Sequence, residues 1–393
     1  MILDKVFPPD PRVENEAISL ISAGHEVFLF CLTYNKKQFE SELINKIQVK
    51  RYRSNKFEYK LSALAYTLPF YTNLMAKKIA KFLKNNAIEV LHIHDIRIAG
   101  AVFQVNNKMK LPLVLDLHDN LPEIMKLYPH LQKIPGKYLI SPKKWKHKEE
   151  AFINKATKII TVSEEFKSEV QKRTSIDDSK IVVVPNTVRN SFYEDYNIDH
   201  SIIKKYEDTF VVLYLGDTGL RRGLQTAIEA MVFLKEKISN VKLVIVGSNS
   251  MDKILIDQVK DLKLEAYVDF EGWQNIGLFP SYIMASSVCI SPLHRNIQHD
   301  VAYANKLFQY MSFAKPVLVS NATAQKNLIE KVKSGLVHEE RNAVDFTQKV
   351  LDLYTNQSLS KELGVNGKQF IENEFCWEKT SKKLIELYNS LTI

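Results

Sequence analysis

Cysteine is almost missing from this sequence. Cys31, Cys289 and Cys376 are the only three in 393 residues, far apart and at no metal-ligand spacing. That rules out a disulfide framework and suits a reducing compartment. Glycine (12) and proline (13) are few, and no stretch is of low complexity, so there is no sign of a disordered region. Long apolar runs are absent too. The longest, 61–76, is broken by Ser62, Thr67, Pro69, Thr72 and Asn73 and falls short of the roughly 20 residues of a membrane span. The opening MILDKVFPPD meets an aspartate at once, which is unlike a secretory leader. These absences predict a cytoplasmic globular protein, long enough for two domains with full cores.

What is present in excess is positive charge, +9 overall. It gathers in the first half: Arg51, Arg53, Lys56 and Lys60, then Lys77, Lys78, Lys81 and Lys84, then Lys143, Lys144, Lys146 and Lys148. Tyr66, Phe70 and Tyr71 lie among them. A basic face bearing aromatics suits peripheral contact with the anionic inner face of a plasma membrane. A solvated helix face explains the same residues equally well. No nucleic-acid-binding module accompanies the charge, so no nucleic-acid partner is expected.

Short apolar runs alternate with helical patterns. Strands are expected at 25–32, 46–52, 89–94, 112–118, 158–163 and 180–186, with helices at 12–23, 60–85, 97–108 and 145–156. After a polar stretch near 190–205 the pattern restarts, with strands at 210–216, 241–247, 266–272, 287–292 and 315–320. Helices are expected there at 222–238, 252–263, 302–314, 342–354, 358–372 and 377–391. Continuous apolar strands such as VVLYLG and KLVIVG indicate parallel sheets covered on both faces. The fold class is therefore α/β, two doubly wound Rossmann-like domains facing a central cleft, with ligands beyond the carboxyl ends of the strands. The domains are placed at 1–195 and 203–373.

Two segments there carry chemistry. LGDTGLRRG (215–223) leaves a strand and opens a helix: Gly216 permits a sharp turn, Gly219 a thin loop and Gly223 a close approach. Arg221 and Arg222 beside free helix amides would suit a diphosphate, although an ordinary basic turn reads the same. It is neither a Walker loop nor a GxGxxG fingerprint. YANKLFQYMSFAKPVLVS (303–320) reads as a helix with Leu307, Phe308 and Met311 on its apolar face, running into a buried strand. Asn305 and Lys306 stand near its start and Gln309 one turn on. His118 ends the strand LDLH, beside Asp119. His92 and His94 share one face of the neighbouring strand, so a zinc site with His118 is conceivable, but no tight ligand spacing supports it and no metal is expected.

Both C-terminal segments resemble the signature of glycosyltransferase family 4, the large retaining GT-B family. Arg222 before Gly223 matches its donor-phosphate position, VIVGS (244–248) its nucleotide-side turn and YVDFEGW (267–273) its base-side strand. FPPDPRVENEAISLISAGHEV (7–27), VLDLHDNLPE (114–123), KIITVSEEF (158–166) and IVVVPNTV (181–188) are similar to its N-terminal motifs, in order. The resemblance implies a metal-independent, retaining glycosyltransferase without a cofactor. A sugar would move from a nucleotide sugar such as a UDP- or GDP-sugar to a saccharide or lipid-linked acceptor, in bacterial surface polysaccharide biosynthesis. It implies His118, Arg222 and Lys306 as catalytic residues. Gly216, Asp217, Arg221, Gly247, Ser248, Trp273, His294, Asp300, Asn305, Leu307 and Gln309 are implied as substrate-binding. It also implies that 375–393 packs back onto the first domain, and that acceptor contacts lie around 33–60 and 119–145.

Three positions depart from the family pattern. Asp217 stands where an arginine is usual, and Val301 and Gln309 where two glutamates are. Asp300, beside Val301, is a candidate displaced carboxylate. The departures keep open a second reading, a catalytically degenerate nucleotide-binding subunit that acts with a partner transferase. A non-hydrolysing nucleotide-sugar epimerase would share the architecture, with nothing in the sequence to favour it.

Overall fold

The computed structural model describes residues 1–128, 131 and 133–391. The chain divides into two compact units, Met1–Asn186 together with the residues from Thr380 on, and Thr187–Lys379. Pro129, His130 and Gln132 of the expected acceptor loop, and Thr392 and Ile393 of the expected return segment, lie outside the described residues.

The first unit is built on an eight-stranded sheet. Its strands are β1 (Ile2–Val6), β2 (Phe28–Thr33), β3 (Ser41–Ile44), β4 (Ile47–Arg53), β5 (Leu91–His94), β6 (Leu113–Leu117), β7 (Lys158–Thr161) and β8 (Ile181–Val183). They run in the order β3-β4-β2-β1-β5-β6-β7-β8, parallel except for β3, which pairs antiparallel with β4. The second unit has six parallel strands: β9 (Phe210–Leu215), β10 (Val241–Val246), β11 (Val268–Gly272), β12 (Val288–Ser291), β13 (Val317–Ser320) and β14 (Gly335–His338). Their order is β11-β10-β9-β12-β13-β14. Both sheets are doubly wound: the chain proceeds outward from the first strand, then returns to its other side, at β1/β5 and at β9/β12. In such sheets the crevice that takes ligands opens beyond the carboxyl ends at that reversal.

Apolar alternation shows how the six-stranded sheet is covered. Val211, Leu213, Leu215, Val244 and Val246 belong to one buried cluster, and Val212, Tyr214, Leu243 and Ile245 to another. Successive residues of a strand point to opposite faces, so each face has its own core. The first is closed by Leu307, Phe308, Tyr310 and Met311, the second by Leu224, Ile228, Met231 and Phe346.

The structure departs from the sequence expectations in a few places. The single helix expected over 60–85 is two, Lys56–Ser62 and Phe70–Lys84, separated by a turn at 63–67, with Pro69 at the N-cap of the second. The helix expected over 302–314 is only Lys306–Ser312, preceded by a separate turn Ile297–Val301. Strands β1, β3 and β14 were not expected. The first unit ends at Asn186 rather than 195, because Val188, Phe192 and Tyr193 pack on the core of the second. The helix Lys382–Asn389 packs against Pro11–Ser22 and β8 of the first unit. Of the three aromatics placed on the basic face, Tyr71 is buried with its hydroxyl on Asp4 and Tyr66 packs edge-on against Trp145. Phe70 is exposed there, as are Phe57 and Tyr59. Among the described residues no helix is long and apolar enough to cross a membrane.

Phe346 is fully buried on the second face of the six-stranded sheet. Phe346→Ala is expected to cost about 3–5 kcal/mol, by lost transfer energy and the cavity left behind. Urea unfolding should show this as a lower midpoint, with Phe346→Leu losing less. An unchanged midpoint for Phe346→Ala would contradict the core described here.

Candidate functional site

In the second unit, the loops after β9 and β12 meet at the reversal point. Gly216 leaves β9 at φ 107° and a short 3-10 turn, Leu220–Arg222, leads to Gly223 at φ 76°, the cap of helix Leu224–Leu234. A Cβ on Gly223 would lie 1.7 Å from the carbonyl oxygen of Pro292, beyond β12. The amide of His294 donates to the Arg221 carbonyl at 3.1 Å, which ties the two loops together. Gly247, beyond β10, is equally constrained, since a Cβ there would meet the Gly216 carbonyl at 2.0 Å. The glycines of this site therefore let three strand ends approach one another.

Charge converges on the β9 loop. Arg222 Nε donates to Asp217 Oδ2 at 3.2 Å, Arg221 Nη2 is 3.8 Å from the same oxygen, and Asn249 Nδ2 donates to Asp217 Oδ1 at 2.6 Å. Lys306 reaches the underside of the loop from the start of its helix. Its Nζ is shielded from solvent, has no hydrogen-bond partner, and lies 3.3 Å from the centre of the Tyr214 ring. Burial, reinforced by Arg222, pushes the Lys306 ammonium well below its usual range, against a weaker opposing pull from Asp217. Asp217 stays below the usual carboxylate range: burial would raise it, but Asn249, Arg222 and Arg221 outweigh that. An unpaired buried amine is costly unless a ligand completes it.

The other expected residues divide into those at the loop and those engaged elsewhere. His299 Nε2 is 3.4 Å from Arg221 Nη1, and its Nδ1 lies 2.7 Å from the His294 carbonyl oxygen. Burial pushes His299 down to about 4, so it is neutral at the loop. His294 is half-buried, its ring beside Gly223. Asn305 and Ser248 are exposed, and Trp273 is 75% exposed beyond β11. Gln309 is half-buried, and its side-chain amide makes no hydrogen bond among the described residues. Leu307 is a correction. Its side chain is fully buried in the core and its amide is bound to the Ala304 carbonyl, because it lies on the apolar face of its helix. Asp300 is another. Its carboxylate accepts from the amide and hydroxyl of Thr323 and from Arg295, so it caps a helix instead of standing free as a displaced carboxylate.

The first unit holds a buried polar cluster that sequence reasoning met only in part. His118 follows β6, and its Nε2 is 2.7 Å from Asp116 Oδ2 and 3.1 Å from His94 Nδ1. Its Nδ1 is 3.8 Å from Asp95, beyond hydrogen-bond distance. Asp116 also takes a bidentate pair from Arg12, Nε at 2.9 Å and Nη2 at 2.7 Å, and Arg12 Nη2 reaches Glu16 at 3.0 Å. Behind them, His92 Nδ1 lies 2.8 Å from the Tyr388 hydroxyl, contributed by the C-terminal helix. Arg12, Glu16 and Asp116 were not singled out in the sequence, where Arg12 and Glu16 lie one turn apart on a helix and far along the chain from Asp116. The available signal was Asp116, a carboxylate inside the apolar strand LVLDL.

Ionisation in this cluster is ordered. Burial alone would lower the pKa of His118, but Asp116 and then Asp95 overcome it and raise it to about 9. Burial pushes His94 well down, with His92 adding to it, and lowers His92, so both are neutral. Burial and the charge of Asp116 raise Glu16, while Arg12, foremost, holds Asp116 well below the carboxylate range against burial. Glu16, His92, His94 and Asp116 bring ligand atoms within 4.8 Å of one another, the grouping among the described residues that a metal ion would use. It does not fit one well. Arg12 already supplies the cation, and both Asp116 oxygens are taken by charge-assisted bonds.

Known proteins resemble this chain in sequence and in fold. A family model described as Glycosyltransferase Family 4 matches residues 12–191, and one described as Glycosyl transferases group 1 matches residues 195–370. A capsular polysaccharide biosynthesis glycosyltransferase of Staphylococcus aureus, CapM, is 24% identical over 250 residues, which span 60% of this chain and 62% of that protein. Sucrose-phosphate synthase from Thermosynechococcus elongatus superposes with a TM-score of 0.78 at 17% identity, over 97% of this chain and 92% of that one. Anabaena Alr3699/HepE, solved in complex with UDP-glucose, superposes with a TM-score of 0.73 at 15% identity, over 99% and 98%. The two family matches take up nearly all of a chain folded as two doubly wound units, and the protein belongs to the family 4 and group 1 glycosyltransferases of the GT-B fold.

Proposed function

We propose that this glycosyltransferase takes a nucleotide sugar on the carboxyl-end loops of its second unit and transfers the sugar with retention. The acceptor would be a saccharide or lipid-linked saccharide of a bacterial surface polysaccharide. The single observation that carries the donor assignment is Lys306: a solvent-shielded, unpartnered amine beneath a glycine loop that carries Arg221 and Arg222. Three basic groups there suit a diphosphate. The relative from S. aureus named for capsular polysaccharide, and the Anabaena complex with UDP-glucose, support the product and donor classes.

In this reading Arg222 and Lys306 take up the charge that develops on the departing diphosphate, so the step needs no metal. Trp273 lies on the base side and Gln309 bonds ribose hydroxyls. His118, held as an imidazolium, offers its Nδ1 as a hydrogen-bond donor to a sugar and is not a general base. The acceptor's proton then passes to the leaving phosphate in a same-face displacement. The enzyme works on the cytoplasmic side of the plasma membrane. The exposed Phe57, Tyr59 and Phe70, with the exposed Lys56, Lys60, Lys77 and Lys81, form a face for anionic lipid.

Arg222→Ala should weaken nucleotide-sugar binding about tenfold or more, the loss of one hydrogen bond to a charged group. Ligand-observed NMR across uridine, guanosine and other nucleotide sugars reads this directly. Native affinity in the variant would remove the phosphate assignment, and selective binding without any transfer would favour the binding-only subunit.

Because His118 is raised, its cation is present below about pH 9 and lost above it. The transfer rate kcat/KM should therefore fall on the alkaline side near that pH. Asp116→Asn should move this limb toward the ordinary imidazole range, about 6.5. Asp116 also braces Arg12, so Asp95→Asn serves as a second probe, with a smaller shift in the same direction. A limb that stays in place in both variants would exclude His118 as its source.

Native protein should co-sediment with vesicles rich in phosphatidylglycerol and not with phosphatidylcholine alone. Replacing Phe57, Tyr59 and Phe70 by serine should abolish this without changing nucleotide binding. Equal sedimentation with neutral vesicles would count against the membrane face.

A further inference from the structure

The β9 loop already contains an anion where an anionic ligand would bind. Asp217 Oδ2 sits on Arg222 Nε at 3.2 Å and 3.8 Å from Arg221 Nη2. Its Oδ1 accepts from Asn249 at 2.6 Å and its backbone carbonyl from the Tyr214 hydroxyl at 2.5 Å. A Cβ on Gly219 would stand 3.3 Å from Oδ2, so that glycine gives the carboxylate room to fold back over its own loop. The side chain is partly exposed (36%) and can swing toward water. Lys306 Nζ, beneath the same loop, remains without a hydrogen-bond partner among the described residues.

We propose that Asp217 is a tethered stand-in for the donor's phosphate, which a nucleoside diphosphate displaces from Arg222 when it binds and which returns to Arg222 as the spent nucleotide leaves. This rests on the donor-site reading above. The displaced carboxylate moves to water while the incoming diphosphate, with more charge and more acceptor oxygens, takes Arg222, Arg221 and Lys306 together. The competition lowers affinity for every nucleoside diphosphate, spent product and donor alike, because each must displace the same carboxylate. Asp217 thus sets how tightly the phosphates are held and leaves sugar and base contacts to decide which donor is retained.

The opposite role is physically reasonable and gives the opposite result. If Asp217 served to aim Arg222 at the ligand, removing its charge would weaken binding. Asp217→Asn separates the two, because the amide oxygen can keep the Asn249 bond while the ion pair is lost. Calorimetric titration of the full chain with UDP, GDP, ADP and dTDP should show Asp217→Asn binding its preferred nucleotide about fivefold tighter than native. That factor corresponds to a partly exposed ion pair of about 1 kcal/mol. In the Arg222→Ala background the same substitution should give no gain. Equal or weaker binding by Asp217→Asn, or a gain that persists without Arg222, overturns the inference. Arg222→Ala read in the same titration keeps the two claims apart. If it leaves affinity unchanged, the donor-site reading fails. If it weakens binding while Asp217→Asn brings no gain, only the stand-in role fails. Binding of none of the four nucleotides by either Asp217 form overturns both.

Discussion

A parallel sheet covered by helices on both faces can place polar side chains economically in one region, past the carboxyl ends of its strands. Elsewhere along the strand a polar group must be buried, and then it must be paired. This constraint organises both units. In the second, strands β9, β10, β12 and β13 carry a single charged residue, Lys242, and the charged residues of the candidate site lie beyond β9 and β12. In the first, the constraint is broken in several strands, by Asp4 in β1, Arg51 in β4, His92 and His94 in β5 and Asp116 in β6. Asp116 lies inside β6, fully buried, and the surrounding polar structure exists to satisfy it: Arg12 from the first helix, His118 one residue beyond the strand, and His94 on the adjacent strand. Removing one partner of such a pair costs about 3–5 kcal/mol. The helix Pro11–Ser22 is therefore fixed to the sheet by charge as well as by its apolar face.

The two sites balance charge in opposite ways. Around Asp116 the cations Arg12 and His118 share an internal carboxylate, so the one group left facing outward, His118, has its protonation state set from within. On the β9 loop Lys306 Nζ has no hydrogen-bond partner among the described residues, and the proposed reading assigns it to a ligand. Cations paired within the protein serve to hold a geometry, whereas an unpaired one is suited to bind. That difference, more than any single residue type, separates the supporting network of the first unit from the binding loop of the second.

Much of this was legible in the sequence where the physics is local. Runs such as VVLYL and KLVIV admit few conformations other than buried parallel strands, and the glycine spacing of LGDTGLRRG marked a tight strand-to-helix turn. What escaped notice was non-local. Strand β1, ILDKV, carries two charged residues in five and becomes a central strand only because Asp4 finds Arg97 and Tyr71, far along the chain. Strand β3, SELI, is mostly exposed, and its place is set by pairing with β4. The resemblance implied Leu307 at the ligand, yet helical geometry sends it and its neighbour Lys306 in different directions, one into the core and the other to the loop. Asp300 was considered as a free carboxylate because sequence cannot show that Thr323, across the fold, presents an uncapped helix start to it.

For the retaining transfer proposed above, the raised pKa of His118 narrows the chemistry. A retaining transfer needs charge drawn off the leaving diphosphate and some base to take the acceptor's proton. An imidazolium can meet the first need and not the second. Asp116 is bound by Arg12 and His118, Glu16 is buried behind them, and His92 and His94 face the interior, so the first unit offers no competing base in this cluster. The basic site then falls to the leaving group itself, whose oxygen gains charge as the glycosidic bond breaks. The residues that steady that oxygen must do so without quenching its basicity. On the proposal above, a loop whose arginine must first release Asp217 holds the diphosphate less tightly overall than an unopposed cluster of cations would.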